Sequence, residues 1–383
     1  MSKLVIKAII LSVIGLCIVI PSLYAAKSSV IYKDQVAVIM YHHVDDEAKS
    51  SGTVTTKLFQ DQLALLKNKG YQFITLKQFK EFMTGASVPN NAVLVTFDDG
   101  YESFYTNAYP ILKSMRIPAV NFVITGDLED PLASYIPSMS RDEIIEMTND
   151  TNFIDLQCHT NGMHQKLPDD KAMLVGRIVT NGIKETEEQY KQRIVNDTAQ
   201  CVSKLSELYP EPIDTYAYPF GIYDKLSVQY IGQGGMKFAF TIVPEMATRD
   251  LDPFQIPRIN AGNPAITPEG LENSIKRRVV ATNHPFNEVD LTDTMSQLGG
   301  KAALSGNQVQ IQYQNVHWTG TINSQNLTAL PGGKAIHLQK PLILKNKKVY
   351  IGLNDLETVL GVQLVYNPNS QSFSVRQTPV VKK

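Results

Sequence analysis

Along most of the chain, short apolar runs alternate with amphipathic stretches. Between residue 36 and about residue 278, runs rich in β-branched residues occur at 36–40, 93–97, 120–125 and 153–158. Shorter ones occur at 71–76, 215–218, 238–243 and 255–258. Runs of this length and make-up predict buried strands. Between them the apolar positions recur at helical spacing. Leu58, Phe59, Leu63, Leu65 and Leu66 mark one helix over 58–69, which stops at Gly70. Ser140 followed by Glu143 is a capping box ahead of Ile144 and Ile145. A longer helix with charges on its outer face spans 186–208. About eight strands separated by helices predict a mainly parallel α/β fold, either a barrel or a layered sheet. In such folds the chemistry gathers at the C-terminal ends of the strands.

The rhythm breaks after residue 278. The stretch 281–304 holds Asn283-His284-Pro285 and Gln297-Leu298-Gly299-Gly300 and reads as a linker. Beyond it, 309–313, 349–351, 362–366 and 372–376 read as short strands, with one helix at 353–360. Asn367-Pro368-Asn369-Ser370 marks a turn. This predicts a small β-rich domain over 305–377, near the lower size limit for independent folding. At the other end, Lys3 and Lys7 precede an uncharged apolar run over 8–20, followed by Pro21, Ser22, Ala25 and Ala26. That order predicts a secretory signal over 1–26. The alternative is an uncleaved membrane anchor through residues 4–20, although a span needs about 20 apolar residues. Both place the remainder outside the cytoplasm, secreted or at the cell surface.

Composition narrows the function classes. Lys and Arg number 36 against 37 Asp and Glu, a net charge of -1. A nucleic-acid partner would need a basic face, so none is expected. A hydrophobic fraction of 43% with 19% charged residues suits a globular protein and not a disordered one. Cys17, Cys158 and Cys201 are too few and too far apart for a disulfide scaffold or a Cys-rich zinc module.

The candidate chemistry sits at strand ends. The run at 93–97 ends in Asp98-Asp99-Gly100. Consecutive strand residues face opposite ways, but the pleat breaks at a strand end, and a glycine there permits an unusual turn. Both acids can then reach one pocket in different roles. By itself Asp-Asp-Gly would more often be a surface turn or a helix cap. The run at 153–158 leads into His159-Thr160-Asn161-Gly162-Met163-His164. Histidines five apart lie about 140° apart on a helix, which excludes a helical metal pair. A strand end and a tight turn can bring them together. Two neutral imidazoles with Asp99 as a third ligand suit Zn2+ or a related metal and leave positions open for catalysis. His42-His43, Tyr218-Pro219-Phe220-Gly221 and Arg258 mark three further strand ends. Cys158, opposed to His159 by the strand alternation, reads as a buried core residue.

This combination resembles the polysaccharide deacetylase family, the NodB-homology group of carbohydrate esterases. The family's Thr-Phe-Asp-Asp-Gly motif stands at Thr96 to Gly100, and its His-Ser/Thr and further His stand at His159, Thr160 and His164. The longer gap between the histidines and the early Tyr41-His42 resemble the branch acting on extracellular poly-N-acetylglucosamine. The resemblance covers about 36–278, and a family member would carry its deacetylase domain at 34–280. It implies a distorted (β/α) barrel of the NodB-homology type. It also implies Asp98 as general base, His42 as general acid, and Asp99, His159 and His164 as ligands of a divalent metal, most often Zn2+. The third motif reads Ala217-Tyr218-Pro219-Phe220-Gly221, without the family's usual arginine. Arg258 is a candidate to supply that charge. Tyr218, Pro219 and Phe220 are expected to line the substrate, with the Phe220 backbone N–H facing the oxyanion. The family's late histidine has no counterpart here, and His284 reads as solvated.

Residues 341–375 resemble the small N-terminal domain of copper amine oxidases, which also occurs on bacterial surface proteins, but they carry no copper ligands. The likeness implies association with the cell surface or wall. Tyr313 and Trp318 could stack on sugars, but aromatic strand residues more often serve a core. The resulting expectation is an extracellular hydrolase that removes N-acetyl groups from a polymer containing N-acetylglucosamine, either poly-N-acetylglucosamine or peptidoglycan. An inactive carbohydrate-binding protein on the same fold is the alternative. A glycosidase is disfavoured, because its two carboxyls must stand about 5 Å or more apart across the scissile bond.

Overall fold

The computed structural model describes residues 29–281 and 286–377. The expected signal or anchor, Cys17 and His284 lie outside the described residues. No helix among the described residues is long and apolar enough to cross a membrane.

The apolar runs form strands β1 (Val36–Tyr41), β2 (Gln72–Phe73), β3 (Ala92–Phe97), β4 (Ala119–Ile124), β5 (Ile154–Thr160), β6 (Thr215–Ala217), β7 (Phe238–Phe240) and β8 (Ile259–Asn260). They make one sheet in the order β7, β6, β5, β4, β3, β1, β8, with β2 beside β3. Every pairing is parallel. A bridge from Phe240 to Ile256 draws the two ends of the sheet together. The result is the distorted (β/α) barrel expected from the sequence.

Both faces of this sheet are covered, which is why its strands read as unbroken apolar runs and not as alternating ones. The alternation is still there, resolved into two cores. Val36, Val38, Leu94, Val120, Phe122, Ala217 and Phe240 fill the barrel interior. Ala37, Ile39, Val93, Val95, Phe97, Leu156 and Cys158 face outward. The helices of this unit include α1 (Thr56–Asn68), α2 (Leu76–Met83), α3 (Tyr109–Met115), α4 (Arg141–Asp150), α5 (Glu187–Ser206), α6 (Lys225–Gln233) and α7 (Pro268–Lys276); α2 adds Phe79 and Phe82 to the interior cluster. Their starts are written locally: Thr75, Ser140 and Thr186 each close a capping box with the residue three positions on.

Three sequence expectations change. The 71–76 run yields only two strand residues, because the Thr75 box starts α2 at Leu76. The 255–258 run is mostly irregular, and Arg258 comes just before β8 instead of ending a strand. Cys158 is buried as expected, but it is bonded to Cys201 of α5.

The stretch 281–304, expected to be a linker, is mostly built structure. It contains β9 (Glu288–Asp290), α8 (Leu291–Gln297) and β10 (Lys301–Ser305). β9 pairs antiparallel with β16 (Lys348–Gly352), and β10 heads a five-stranded antiparallel sheet running on to Ala335–His337. Polar spacing hid these elements, yet Val289, Leu291 and Met295 are buried in the same core as Ile311, Tyr313, Trp318, Leu327 and Leu356. Tyr313 and Trp318 are thus core residues.

This second unit docks against the barrel end where β1 begins. Ala281 N–H donates to Tyr366 O at 2.8 Å, and Asn367 Nδ2 to Lys276 O at 3.0 Å. Arg376 pairs with Asp250 at 3.0 Å. The adjoining Ala247 bridges Val36, the first residue of β1. The C-terminal strand ends, where Asp98 and His159 stand, lie at the opposite side.

Leu291 tests whether this region is core or linker. Leu291→Ala is expected to lower the unfolding free energy by about 2–5 kcal/mol, the usual loss for a fully buried leucine. Denaturant titration followed by fluorescence suits the measurement, because Trp318 is the chain's single tryptophan and lies in this core. A linker leucine would change stability by about 0.5 kcal/mol or less.

Candidate active site

The site grows out of the end of β3. Thr96 and Asp98 continue the inward-facing parity of Leu94, and the Asp98 backbone N–H is anchored to Tyr41 O of β1 at 3.0 Å. The chain then turns through two left-handed residues, Asp99 with φ 76° and Gly100 with φ 75°. A side chain at Gly100 would put its Cβ 3.0 Å from Val123 Cγ1 and 3.3 Å from Val123 Cα, so only glycine fits without a shift. This turn separates the directions of the two acids.

Asp98 meets an arginine. Arg258, with 0% exposure, presents Nη1 to Oδ1 at 2.6 Å and Nη2 to Oδ2 at 2.8 Å, a bidentate pair inside the barrel. Its Nε donates to Thr241 O at 2.8 Å, and its guanidinium lies over the Phe122 ring at 5.7 Å. Burial pushes the Asp98 carboxyl up, but Arg258 and then the charge of His159 outweigh it and hold it below the usual carboxylate range. His42 Nε2 lies 3.9 Å from Asp98 Oδ2 with its ring one-third exposed. The neighbouring His43 is buried, with Nδ1 3.1 Å from Thr53 Oγ1 and its ring edge-on to Tyr101 at 5.5 Å.

Asp99 meets the histidines. Its Oδ1 lies 3.4 Å from His159 Nε2 and 3.4 Å from His164 Nε2. The β4–β5 register runs from Ala119 opposite Ile154 to Val123 opposite Cys158, and then Ile124 pairs with Thr160. His159 is the extra residue of this bulge, a device common beside active sites. Its Nδ1 is 2.8 Å from Ala217 O. A carbonyl only accepts, so Nδ1 carries the hydrogen and a neutral ring keeps its lone pair on Nε2. Burial pushes His159 down, but Asp99 and Asp98 outweigh it and raise it. His164 is lowered to about 4 by burial and by His159, and stays neutral near pH 7.

The residues present fit a metal. Asp99 Oδ1 is buried without a hydrogen-bond partner among the described residues, an expensive state for a carboxylate oxygen. It faces two imidazole nitrogens, and one ligand atom from each of the three residues lies within 4.8 Å of the others. One carboxylate with two imidazoles, one of them oriented by a carbonyl, is a donor set for a divalent transition metal.

Tyr218 is buried and donates to Phe254 O at 2.9 Å, so its hydroxyl serves the scaffold. Phe220, at φ 59°, lays its ring 4.3 Å from that of His164. Between it and Tyr218, Pro219 opens the short turn. A groove of about 590 Å³ runs alongside, lined by Tyr101, Asp127, Tyr135, Ile136, Asn161 and His164. Tyr101, Asp127 and Tyr135 had no motif to mark them. The one available signal was that Tyr101 directly follows the two left-handed residues.

Comparison with known proteins agrees with this geometry. Residues 85–239 match the sequence model of the family described as polysaccharide deacetylase. The chain carries a domain of the polysaccharide deacetylase family. It is 29% identical over 225 residues to a poly-beta-1,6-N-acetyl-D-glucosamine N-deacetylase of Staphylococcus aureus, covering 59% of this chain and 71% of that protein. The deacetylase barrel also matches solved structures. A de-N-acetylase from Aggregatibacter actinomycetemcomitans superposes with a TM-score of 0.57 at 21% identity, covering 63% of this chain and 100% of that one. IcaB from Ammonifex degensii gives 0.53 at 24%, covering 63% and 95%. As a polysaccharide deacetylase the chain is a hydrolase of carbon–nitrogen bonds.

The Arg258–Asp98 pair gives a pH test. In Arg258→Met the burial of Asp98 remains while its counter-charge is gone, so the Asp98 pKa is expected to rise above its unfolded value. Leaving a buried charge unpaired costs about 3–5 kcal/mol. The loss of unfolding free energy should be largest near neutral pH and should shrink as pH falls and Asp98 takes a proton. In the native protein the sign is opposite: the depressed carboxylate contributes stability above its unfolded pKa and loses it as pH falls through the folded value. Urea titrations of both proteins across pH 4–8 would read this, and parallel curves would show that Arg258 does not set the charge of Asp98.

Proposed function

We propose that this deacetylase acts outside the cytoplasm and removes N-acetyl groups from poly-β-1,6-N-acetylglucosamine, with Zn2+ held by Asp99, His159 and His164. The observation that carries the reading is the partnerless Asp99 Oδ1 facing two histidine Nε2 atoms beside a separately neutralised Asp98. The named activity of the S. aureus relative supports the choice of polymer. Extracellular action is supported by the signal-like residues 1–26 and by the Cys158–Cys201 disulfide, a bond that persists in oxidising compartments. The C-terminal unit is proposed to associate with the cell surface or wall.

An acetamide is a poor electrophile and water a poor nucleophile; a divalent metal, when bound, makes the water more acidic and the carbonyl more polarised. Asp98 accepts a proton from the water as its oxygen attacks the carbonyl carbon. The bidentate contact with Arg258 fixes the carboxylate plane and keeps it ionised for that step. The Phe220 backbone N–H is proposed to donate to the developing oxyanion, where a preorganised donor contributes most. His42 is proposed to protonate the sugar nitrogen as the carbon–nitrogen bond breaks, giving acetate and a free amine. Its exposed edge, 3.9 Å from Asp98, is open to the leaving group.

Acetate release decides the reading. The purified protein would be given poly-β-1,6-N-acetylglucosamine and peptidoglycan in parallel, with and without chelator and added Zn2+. Release from the first polymer, abolished by chelator and restored by Zn2+, is expected. Asp98→Asn should lower kcat/KM by about a hundred- to ten-thousand-fold, the usual worth of a general base. Stoichiometric metal with no release from either polymer would refute the substrate and favour a carbohydrate-binding role.

A further inference from the structure

One of the buried carboxylates that the mechanism does not use, Asp197, touches the segment that carries the histidines. Helix α5 presents Arg193, Asp197 and Cys201 at four-residue spacing, one stripe of its surface. All three hold the segment that carries the histidines. Cys201 is bonded to Cys158, the residue before His159. Asp197 Oδ1 accepts from Thr160 Oγ1 at 2.6 Å and from the Asn161 backbone N–H at 2.9 Å. Its Oδ2 accepts from the Gly162 backbone N–H at 2.6 Å. Thr160 Oγ1 in turn accepts from the Met163 N–H at 3.0 Å. Arg193 donates to Met173 O at 2.9 Å and to Gly176 O at 2.8 Å, and so ties down the chain beyond His164.

We infer that Asp197 is a positioning residue for the metal centre: it fixes the turn between His159 and His164 and thereby sets the separation of their two imidazoles. The inference rests on the reading of Asp99, His159 and His164 as metal ligands. Tight turns usually close with hydrogen bonds among their own residues. This one takes a carboxylate from a different element, only 8% exposed, onto which three donors converge. Gly126 N–H donates to Asn161 O at 2.7 Å from the other side, so the turn is gripped on both flanks. A carboxylate is needed, since all three groups donate. An asparagine would turn an NH2 towards one of them and lose that bond. Residues that orient metal ligands in this way typically alter metal affinity about 10- to 100-fold when replaced.

The test compares wild type, Asp197→Asn and Thr160→Val. Zn2+ affinity would be read by competition with a chromophoric chelator, ligand geometry by the visible spectrum of the Co2+-loaded protein, and folding by thermal unfolding of the metal-free protein. Asp197→Asn is expected to weaken Zn2+ binding about 10- to 100-fold and to change the Co2+ spectrum. Thr160→Val, which loses its bond to Asp197 and the acceptor for the Met163 N–H, should shift both readouts the same way. A folded Asp197→Asn with wild-type affinity and spectrum would overturn the inference and leave Asp197 a stabilising residue only. Should Asp197→Asn fail to fold, wild-type values in Thr160→Val would overturn it equally. A wild type that binds neither ion would instead refute the ligand assignment on which the inference rests.

Discussion

The left-handed turn through Asp99 and Gly100 is the constraint on which the site depends. A pleated strand would send Asp98 and Asp99 to opposite faces, one into the barrel and one under the helices. The turn keeps Asp98 on the inward parity of β3 and swings Asp99 towards β5. A non-glycine residue at φ 76° stores about 1–3 kcal/mol of strain. The surrounding structure over-determines it: Asp98 N–H is tied to Tyr41 O, and Gly100 O accepts from Met139 N–H at 2.9 Å. Strain held so firmly beside two buried acids is the mark of a functional arrangement.

The two acids solve the cost of burial in different ways. Asp98 is neutralised inside the barrel by a guanidinium that makes two parallel hydrogen bonds, so its charge is fixed and its geometry shared with Arg258. Asp99 faces the two histidines and Tyr101, and one of its oxygens has no hydrogen-bond partner among the described residues. Division of labour follows from this difference. The first carboxylate is held ionised and oriented, which suits the proposed base; the second keeps an oxygen that the proposed metal would complete. Both histidines feel the two acids: for His159 their pull exceeds burial and raises it, whereas for His164 burial and the neighbouring His159 win and lower it.

Much of this was legible in the sequence because it is local. The strand-end acids, the two histidines after β5 and the capping boxes are each written within a few residues. What escaped was set by long-range contacts. Arg258 reaches Asp98 across 160 positions, and the sequence offered it only as a candidate for a missing charge. The partner of Cys158 lies 43 residues on, in a helix whose pattern gives no sign of it. Asp197 sits mid-helix among other polar residues, where a buried acid looks like a solvated one. The stretch 281–304 misled because its elements are short and half-polar. Only pairing with β16, more than fifty residues later, shows that Val289 and Leu291 are core.

The second unit stands at the barrel end remote from the acids, and Asp98, Asp99, His159, His164 and Arg258 all belong to the first. The claim that matters most is that Asp99, His159 and His164 hold a catalytic metal. Anomalous diffraction from crystals of the Zn2+-loaded protein tests it most directly. One strong peak among Asp99 Oδ1, His159 Nε2 and His164 Nε2, absent from Asp99→Asn crystals, is the expected result. A loaded protein with no peak there, or with its metal elsewhere, would contradict the account.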